Sequence, residues 1–215
     1  MSWWEQLHTI NPGEVVWAGL MAYVLGCFAT GYYLVLAVRR KDIRTLASGN
    51  IGARNVGRVL GKTGFVINTA GDALKGMLAI WAAGKFFHDP RIASFALLAV
   101  VAGHIWPAQL RFHGGKGVAT SLGALAVYDW RLLIAFGVVF VFGLALARRT
   151  VLPGLFGFVC LPATDYWLHQ DGLRMAVLIT LALVILLAHR KNLVVEFSAL
   201  LPIHRLPPNE NHKIP

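Results

Sequence analysis

Charge is scarce in this chain. Asp, Glu, Lys and Arg make up 14% of its 215 residues, where a soluble domain carries about a quarter. Acids are scarcest: 10 Asp and Glu face 20 Lys and Arg, for a net charge of +10. The 2 cysteines, Cys27 and Cys160, fall inside apolar runs, which excludes a disulfide framework and a cysteine-based zinc site. The sequence offers no carboxylate cluster for magnesium and no paired histidines at zinc spacing, so neither a metal nor another cofactor is expected. There is no internal repeat and no low-complexity segment.

Apolar residues take the place of the missing charge, at 57%. A helix crossing a bilayer needs about 20 mostly apolar residues, and residues 15–38 supply such a run without one charge. It is not a cleavable signal, because Trp3, Trp4 and Glu5 precede it rather than a basic segment. It ends in Arg39-Arg40-Lys41 rather than in small residues. Further runs predict helices over 63–87, 92–110, 116–128, 131–147, 151–168 and 172–189. The expected fold is therefore an all-α membrane protein of seven transmembrane helices, forming one domain over 1–215. The Pro-rich, polar tail 198–215 is expected at the surface or disordered. The run 116–128 is the shortest, rising only about 20 Å.

The basic residues orient this bundle. With seven spans, fifteen of the 20 Lys and Arg lie in 39–62, 111–116, 148–149 and the C-terminal segment. Only Lys85, Arg91, Arg131 and Arg174 border the other side, and Lys75 lies within a span. Cytoplasmic loops collect Lys and Arg, so the C-terminus is expected in the cytoplasm and the N-terminus outside. Trp3, Trp4, Trp130 and Trp167 then fall near the outer interface.

Four polar segments break the apolar pattern. In residues 47–58, Ala-Ser-Gly-Asn-Ile-Gly-Ala-Arg-Asn-Val-Gly-Arg, three glycines, Ser48, Asn50, Asn55, Arg54 and Arg58 are packed together. Glycines let backbone amides converge on an anion, and arginine adds paired donors for phosphate oxygens. A basic surface loop explains the composition equally well. Gly61-Lys62-Thr63 is no nucleotide-binding loop, because Val56 stands where the motif needs glycine. Asp72 and Lys75 are three apart on one helix face and can pair; a charge at bilayer depth costs about 2.5–3.5 kcal/mol and marks a polar interior or a site. His104 precedes Arg111-Phe112-His113-Gly114-Gly115-Lys116-Gly117, which opens a helix, and a helix start with a lysine among glycines attracts anions. His189 and Asn192, three apart on one face, close the last span. All four segments are expected on the cytoplasmic side, with several anion donors and one obvious acid. That balance suits a substrate bearing one or two phosphates.

Five stretches in this order resemble the bacterial integral-membrane acyl-phosphate:glycerol-3-phosphate acyltransferase family. They are Ser-Gly-Asn-Ile-Gly-Ala-Arg-Asn-Val-Gly-Arg from Ser48, Asp-Ala-Leu-Lys-Gly from Asp72, Gly-His-Ile-Trp-Pro from Gly103, Gly-Gly-Lys-Gly-Val-Ala-Thr from Gly114, and His-Arg-Lys-Asn from His189. The resemblance covers nearly the whole chain. It implies seven transmembrane helices in the bacterial inner membrane with a cytoplasmic site. An acyl phosphate would give its fatty chain to the 1-hydroxyl of sn-glycerol 3-phosphate, yielding lysophosphatidic acid and phosphate for phospholipid synthesis. It also implies a peripheral contact with the soluble enzyme that makes the acyl phosphate, and no nucleic acid partner.

Carried over by motif, Ser48, Arg58 and Lys116 would bind the phosphate of glycerol 3-phosphate. His189 and Asn192 would orient the reacting groups, and the amides of Gly114, Gly115 and Gly117 would hold the donor phosphate. Asn50, Asn55, Lys75 and His104 complete the expected substrate-binding set, and the catalytic set is His189, Asn192, Lys116 and Ser48. The base could be His189, His104 or the substrate phosphate. Three positions depart from the family: Arg54 replaces a hydroxyl residue, Val151-Leu152-Pro153 lacks the usual serines, and Val195-Glu196 stands where a basic residue is common. The alternatives are an acyltransferase using acyl-CoA or acyl carrier protein, and a membrane transporter or scaffold. No histidine here has Asp five residues later, as the common soluble-donor acyltransferases require, and no inverted repeat of the transporter kind is present.

Overall fold

The computed structural model describes residue 5 and residues 8–200, the side chains of 199 and 200 excepted. Trp3, Trp4 and the tail from 201, with Arg205 and Lys213, lie outside the described residues. Among the described residues all regular structure is helical: α1 (Pro12–Cys27), α2 (Thr30–Arg39), α3 (Ala53–Phe86), α4 (Ile92–Ile105), α5 (Val118–Tyr128), α6 (Trp130–Ala147), α7 (Val151–His169), α8 (Gly172–Ala188) and α9 (Arg190–Leu200).

Three expectations are corrected. The run 15–38 is two helices, because Phe28 (φ −63°, ψ 103°) and Ala29 leave the helical region. Distant partners satisfy the carbonyls freed there: Lys75 Nζ donates to Phe28 at 2.7 Å, and Gln109 donates to Cys27. The second helix begins at Ala53 rather than 63 and is kinked at Gly61, whose φ of 74° only glycine adopts readily. The third, expected over 92–110, stops at Ile105, where Pro107 forbids continuation, and a 3-10 turn at Ala108–Leu110 follows. The four remaining runs lie within two residues of their expected bounds, whereas α9 was not expected and takes in residues 198–200 of the predicted tail.

Aspartates cap two of the helices. Asp129 accepts from the Arg131 amide ahead of α6, and Asp171 accepts from Leu173 and Arg174 ahead of α8. α4 runs through the core, where Leu97, Val100 and Val101 pack with Leu125 of α5 and Leu178, Leu181 and Ile185 of α8. Glycines bring backbones into contact at two crossings. A Cβ on Gly26 would stand 2.2 Å from the Val100 carbonyl oxygen, joining α1 to α4, and one on Gly123 would stand 2.0 Å from that of Ala73, joining α5 to α3. α6 faces outward with Ile134, Val138, Val141, Phe142 and Leu146, a surface suited to lipid.

Four helices are long and apolar enough to cross a membrane, with α1 and α2 taken as one, and five if the α8–α9 pair, bent by 66°, is one broken span. Seven are not reached on length and composition. α3 carries Asp72, Lys75 and Lys85, and α5 has 11 residues.

Contacts sort the loops into two ends. At one end Arg44 Nη1 donates to the Leu110 carbonyl at 3.0 Å, Arg54 bonds Thr150 Oγ1, Arg149 pairs with Glu196 at 2.8 Å, and Lys116 bonds Asn192. At the other end Arg91 bonds Thr9, and Asp129 pairs with His169. These groups match the two sets of loops that the charge count separates.

Candidate active site

The basic end holds the motif residues. The loop before α3 is shaped by its own amides. Asn55 is buried; its Oδ1 accepts from the Ser48 amide at 3.0 Å and its Nδ2 donates to the Leu46 carbonyl at 3.0 Å. Asn50 Oδ1 accepts from the Gly52 amide at 2.7 Å. Both asparagines thus fold the loop through backbone contacts. Ser48 and Arg58 are exposed, with no side-chain partner among the described residues.

The loop before α5 is built on α4. The Gly115 amide donates to the His104 carbonyl at 3.0 Å, and the Gly114 amide donates to that of Ile105 at 3.1 Å. These two amides are therefore engaged by backbone carbonyls. Gly117, with φ 83°, is the N-cap of α5, where the first-turn amides lack helical partners. Lys116 projects from this loop and its Nζ donates to Asn192 Oδ1 at 2.7 Å. Burial holds its ammonium below the usual lysine value, and the charge of nearby Arg54 adds to the effect.

His189 sits at the break between α8 and α9, so it does not share a helix face with Asn192 as the spacing suggests. Its Nδ1 lies 2.8 Å from the Ile185 carbonyl oxygen. That acceptor places the proton on Nδ1, leaving Nε2 of a neutral ring as the acceptor. The charges of Lys116 and Arg54 both act on His189. Arg54 is the residue whose place in this cluster the sequence hides. The motif shows it only as a departure, whereas the fold bonds it to Thr150, just ahead of the Val151-Leu152-Pro153 segment.

Lys75 and His104 lie behind this loop, where a Cβ on Gly115 would stand 2.1 Å from His104 Nε2. Both are buried, with Lys75 Nζ 2.8 Å from His104 Nδ1 and 2.9 Å from Asp72 Oδ1. The expected Asp72–Lys75 pair forms, and these side chains contact one another and the Phe28 carbonyl.

At the opposite end the fold assembles a cluster that the sequence separates. Ligand atoms of Asp129, Asp165 and His169 lie within 4.8 Å of one another. Two carboxylates and an imidazole could hold a metal such as zinc, which corrects the expectation of no carboxylate cluster. Arg131 reaches Asp129 at 2.9 Å and Arg174 reaches Asp165 at 2.6 Å, so the carboxylates already carry counter-charges.

An all-helical membrane protein with two arginines, a lysine, a histidine and an asparagine drawn together at its basic end has the makeup of a membrane enzyme for phosphate-bearing substrates. Residues 16–198 match the glycerol-3-phosphate acyltransferase family, and the chain belongs to that family. It is similar to glycerol-3-phosphate acyltransferase 1 of Desulfitobacterium hafniense, 47% identical over 174 residues that cover 81% of this chain and 86% of the relative. The glycerol-3-phosphate acyltransferase of Clostridioides difficile is 37% identical over 180 residues, covering 81% and 87%. Among solved structures it is similar to PlsY (YgiH), an integral membrane glycerol 3-phosphate acyltransferase. The glycerol 3-phosphate form gives a TM-score of 0.77 at 27% identity, covering 86% of this chain and 92% of that one. The lysophosphatidic acid form gives 0.75 at 26%, with the same coverage.

Proposed function

We propose that this enzyme transfers a fatty acyl group from acyl phosphate to the 1-hydroxyl of sn-glycerol 3-phosphate. The observation that carries the reading is the convergence of Lys116, Asn192, His189 and Arg54 at the end of the bundle where Ser48 and Arg58 stand open. Residues 1–215 act as one domain. It crosses the bacterial inner membrane with seven spans, α3 and the short α5 included, with its N-terminus outside and its C-terminus and site in the cytoplasm. The loop charge supports this orientation.

An acyl phosphate is a mixed anhydride, so positioning and charge stabilisation carry most of the catalysis. Ser48, Arg58 and Lys116 hold the phosphate of glycerol 3-phosphate. The hydroxyl attacks the acyl carbon, the carbon–oxygen bond to phosphate breaks, and inorganic phosphate leaves. His189 Nε2 takes the hydroxyl proton, and Asn192 keeps Lys116 beside the reacting groups. Glycerol 3-phosphate, acyl phosphate and the bilayer are the partners, with a peripheral contact to the soluble acyl-phosphate source.

Purified protein given labelled glycerol 3-phosphate should form lysophosphatidic acid with palmitoyl phosphate and not with palmitoyl-CoA. Product from the thioester alone would make the chain a soluble-donor acyltransferase, and product from neither donor would remove the enzyme reading.

A further inference from the structure

At the end of the bundle opposite the site, three helices deliver a polar cluster that acyl transfer does not use. Asp129 caps α6, Asp165 and His169 stand one turn apart at the end of α7, and Arg174 lies in the first turn of α8.

Hydrogen bonds fix the imidazole of His169. Its Nδ1 lies 3.1 Å from Asp165 Oδ1 and 3.1 Å from the Asp165 carbonyl oxygen. Both are acceptors, so the ring carries a proton on Nδ1. Its Nε2 stands 3.0 Å from Asp129 Oδ2. An imidazole lone pair and a carboxylate oxygen repel at this distance unless a proton or a cation joins them. Arg131 supplies that cation. Its Nη2 donates to His169 Nε2 at 2.7 Å and to Asp129 Oδ2 at 2.9 Å.

The two arginines of the cluster are held differently. Arg174 bonds Asp165 through Nη2 at 2.6 Å and Nε at 3.1 Å, and its guanidinium stacks on Tyr128 at 4.4 Å. Arg131 has no such backing. Its side chain is 45% exposed, and an exposed ion pair contributes little. A cavity of about 390 Å³ opens beside it, lined in part by Asp129, Arg131, His169 and Arg174, which gives a hydrated ion access to the cluster.

We infer that Asp129 Oδ2 and His169 Nε2 form a site for a divalent transition-metal ion such as zinc, and that the Arg131 guanidinium stands in for the metal. The 3.0 Å between the two ligand atoms is close to the roughly 3.3 Å between neighbouring ligands of a tetrahedral zinc. Asp165 backs His169 through Nδ1, the arrangement that orients a metal-binding imidazole. Arg174 remains on Asp165 and balances its charge, while Arg131 swings into the open and water from the cavity completes the coordination. The imidazole selects zinc over calcium and magnesium, which take oxygen ligands. In the orientation proposed above the site opens to the outside; its chemistry does not rest on that reading.

Tag-free, full-length protein in phosphatidylcholine nanodiscs, which leave both ends accessible, is titrated with zinc chloride by calorimetry near neutral pH. Arg131→Gln removes the competing cation and should bind one zinc about tenfold more tightly than the parent. His169→Gln, in the parent or in Arg131→Gln, should abolish that event. Zinc should raise the thermal midpoint of Arg131→Gln and leave that of the Arg131→Gln, His169→Gln double variant unchanged, and calcium chloride should do neither. No saturable zinc binding by Arg131→Gln, an affinity equal to the parent's, or binding that survives His169→Gln would overturn the site and leave a structural ion-pair cluster.

Discussion

At Lys116 a half-buried ammonium is held by Asn192 at 2.7 Å and faces the charge of Arg54. A bound phosphate would relieve both the burial and the repulsion, which raises the lysine pKa. Binding of glycerol 3-phosphate above neutral pH should therefore take up protons. Calorimetry in buffers of different ionisation enthalpy should detect the uptake and find it absent in Lys116→Met; no uptake by the parent protein would remove Lys116 from the phosphate. Lys116→Ala should lower turnover by about 10²-fold while the protein still inserts, the scale for losing a positioned charge donor. Near-normal turnover in a labelled glycerol 3-phosphate assay would contradict its role. Motif order makes Lys116, His189 and Asn192 legible as members of one end of the bundle, but not the break that takes His189 off the helix face of Asn192. The backbone partners of Asn50, Asn55, Gly114 and Gly115 are not legible, because only the folded loops bring them within reach. Arg54 was legible as an unusual residue but not as a member of the cluster.

Among the elements, α3 carries the strongest constraint. Asp72 and Lys75 are buried together with His104, and removing one partner of such a pair costs roughly 3–5 kcal/mol. Asp72→Asn should lower the thermal midpoint sharply, and Asp72→Asn with Lys75→Met should recover part of the loss. A single variant as stable as the parent would show the charges to be solvated. The α3–α5 crossing depends on backbone contact at Gly123. Gly123→Leu must separate the helices and should cost about 1–3 kcal/mol or more, read as a lower unfolding temperature. The spacing of Asp72 and Lys75 made their pairing legible from sequence. The break at Phe28 was not, because no proline marks it and the groups that satisfy it, Lys75 and Gln109, lie far along the chain. The kink at Gly61 was hidden for a related reason, since a glycine within a helical pattern does not declare its φ.

For the whole molecule, the charge count and the fold divide the loops in the same way. Arg44–Leu110, Arg54–Thr150, Arg149–Glu196 and Lys116–Asn192 tie the basic segments together, and loops that pair cannot lie on opposite sides of a bilayer. Length and hydropathy alone reach four or five spans; the seven proposed need α3, which carries an ion pair, and α5, which has 11 residues. The central claim joins that face to the chemistry: acyl transfer from acyl phosphate to glycerol 3-phosphate occurs at the basic, cytoplasmic end. Sealed membrane vesicles of the two orientations, given palmitoyl phosphate and labelled glycerol 3-phosphate from outside, test it directly. Inverted vesicles should form lysophosphatidic acid, and right-side-out vesicles should form it only after permeabilisation. Product in intact right-side-out vesicles, or in neither preparation, would contradict the account.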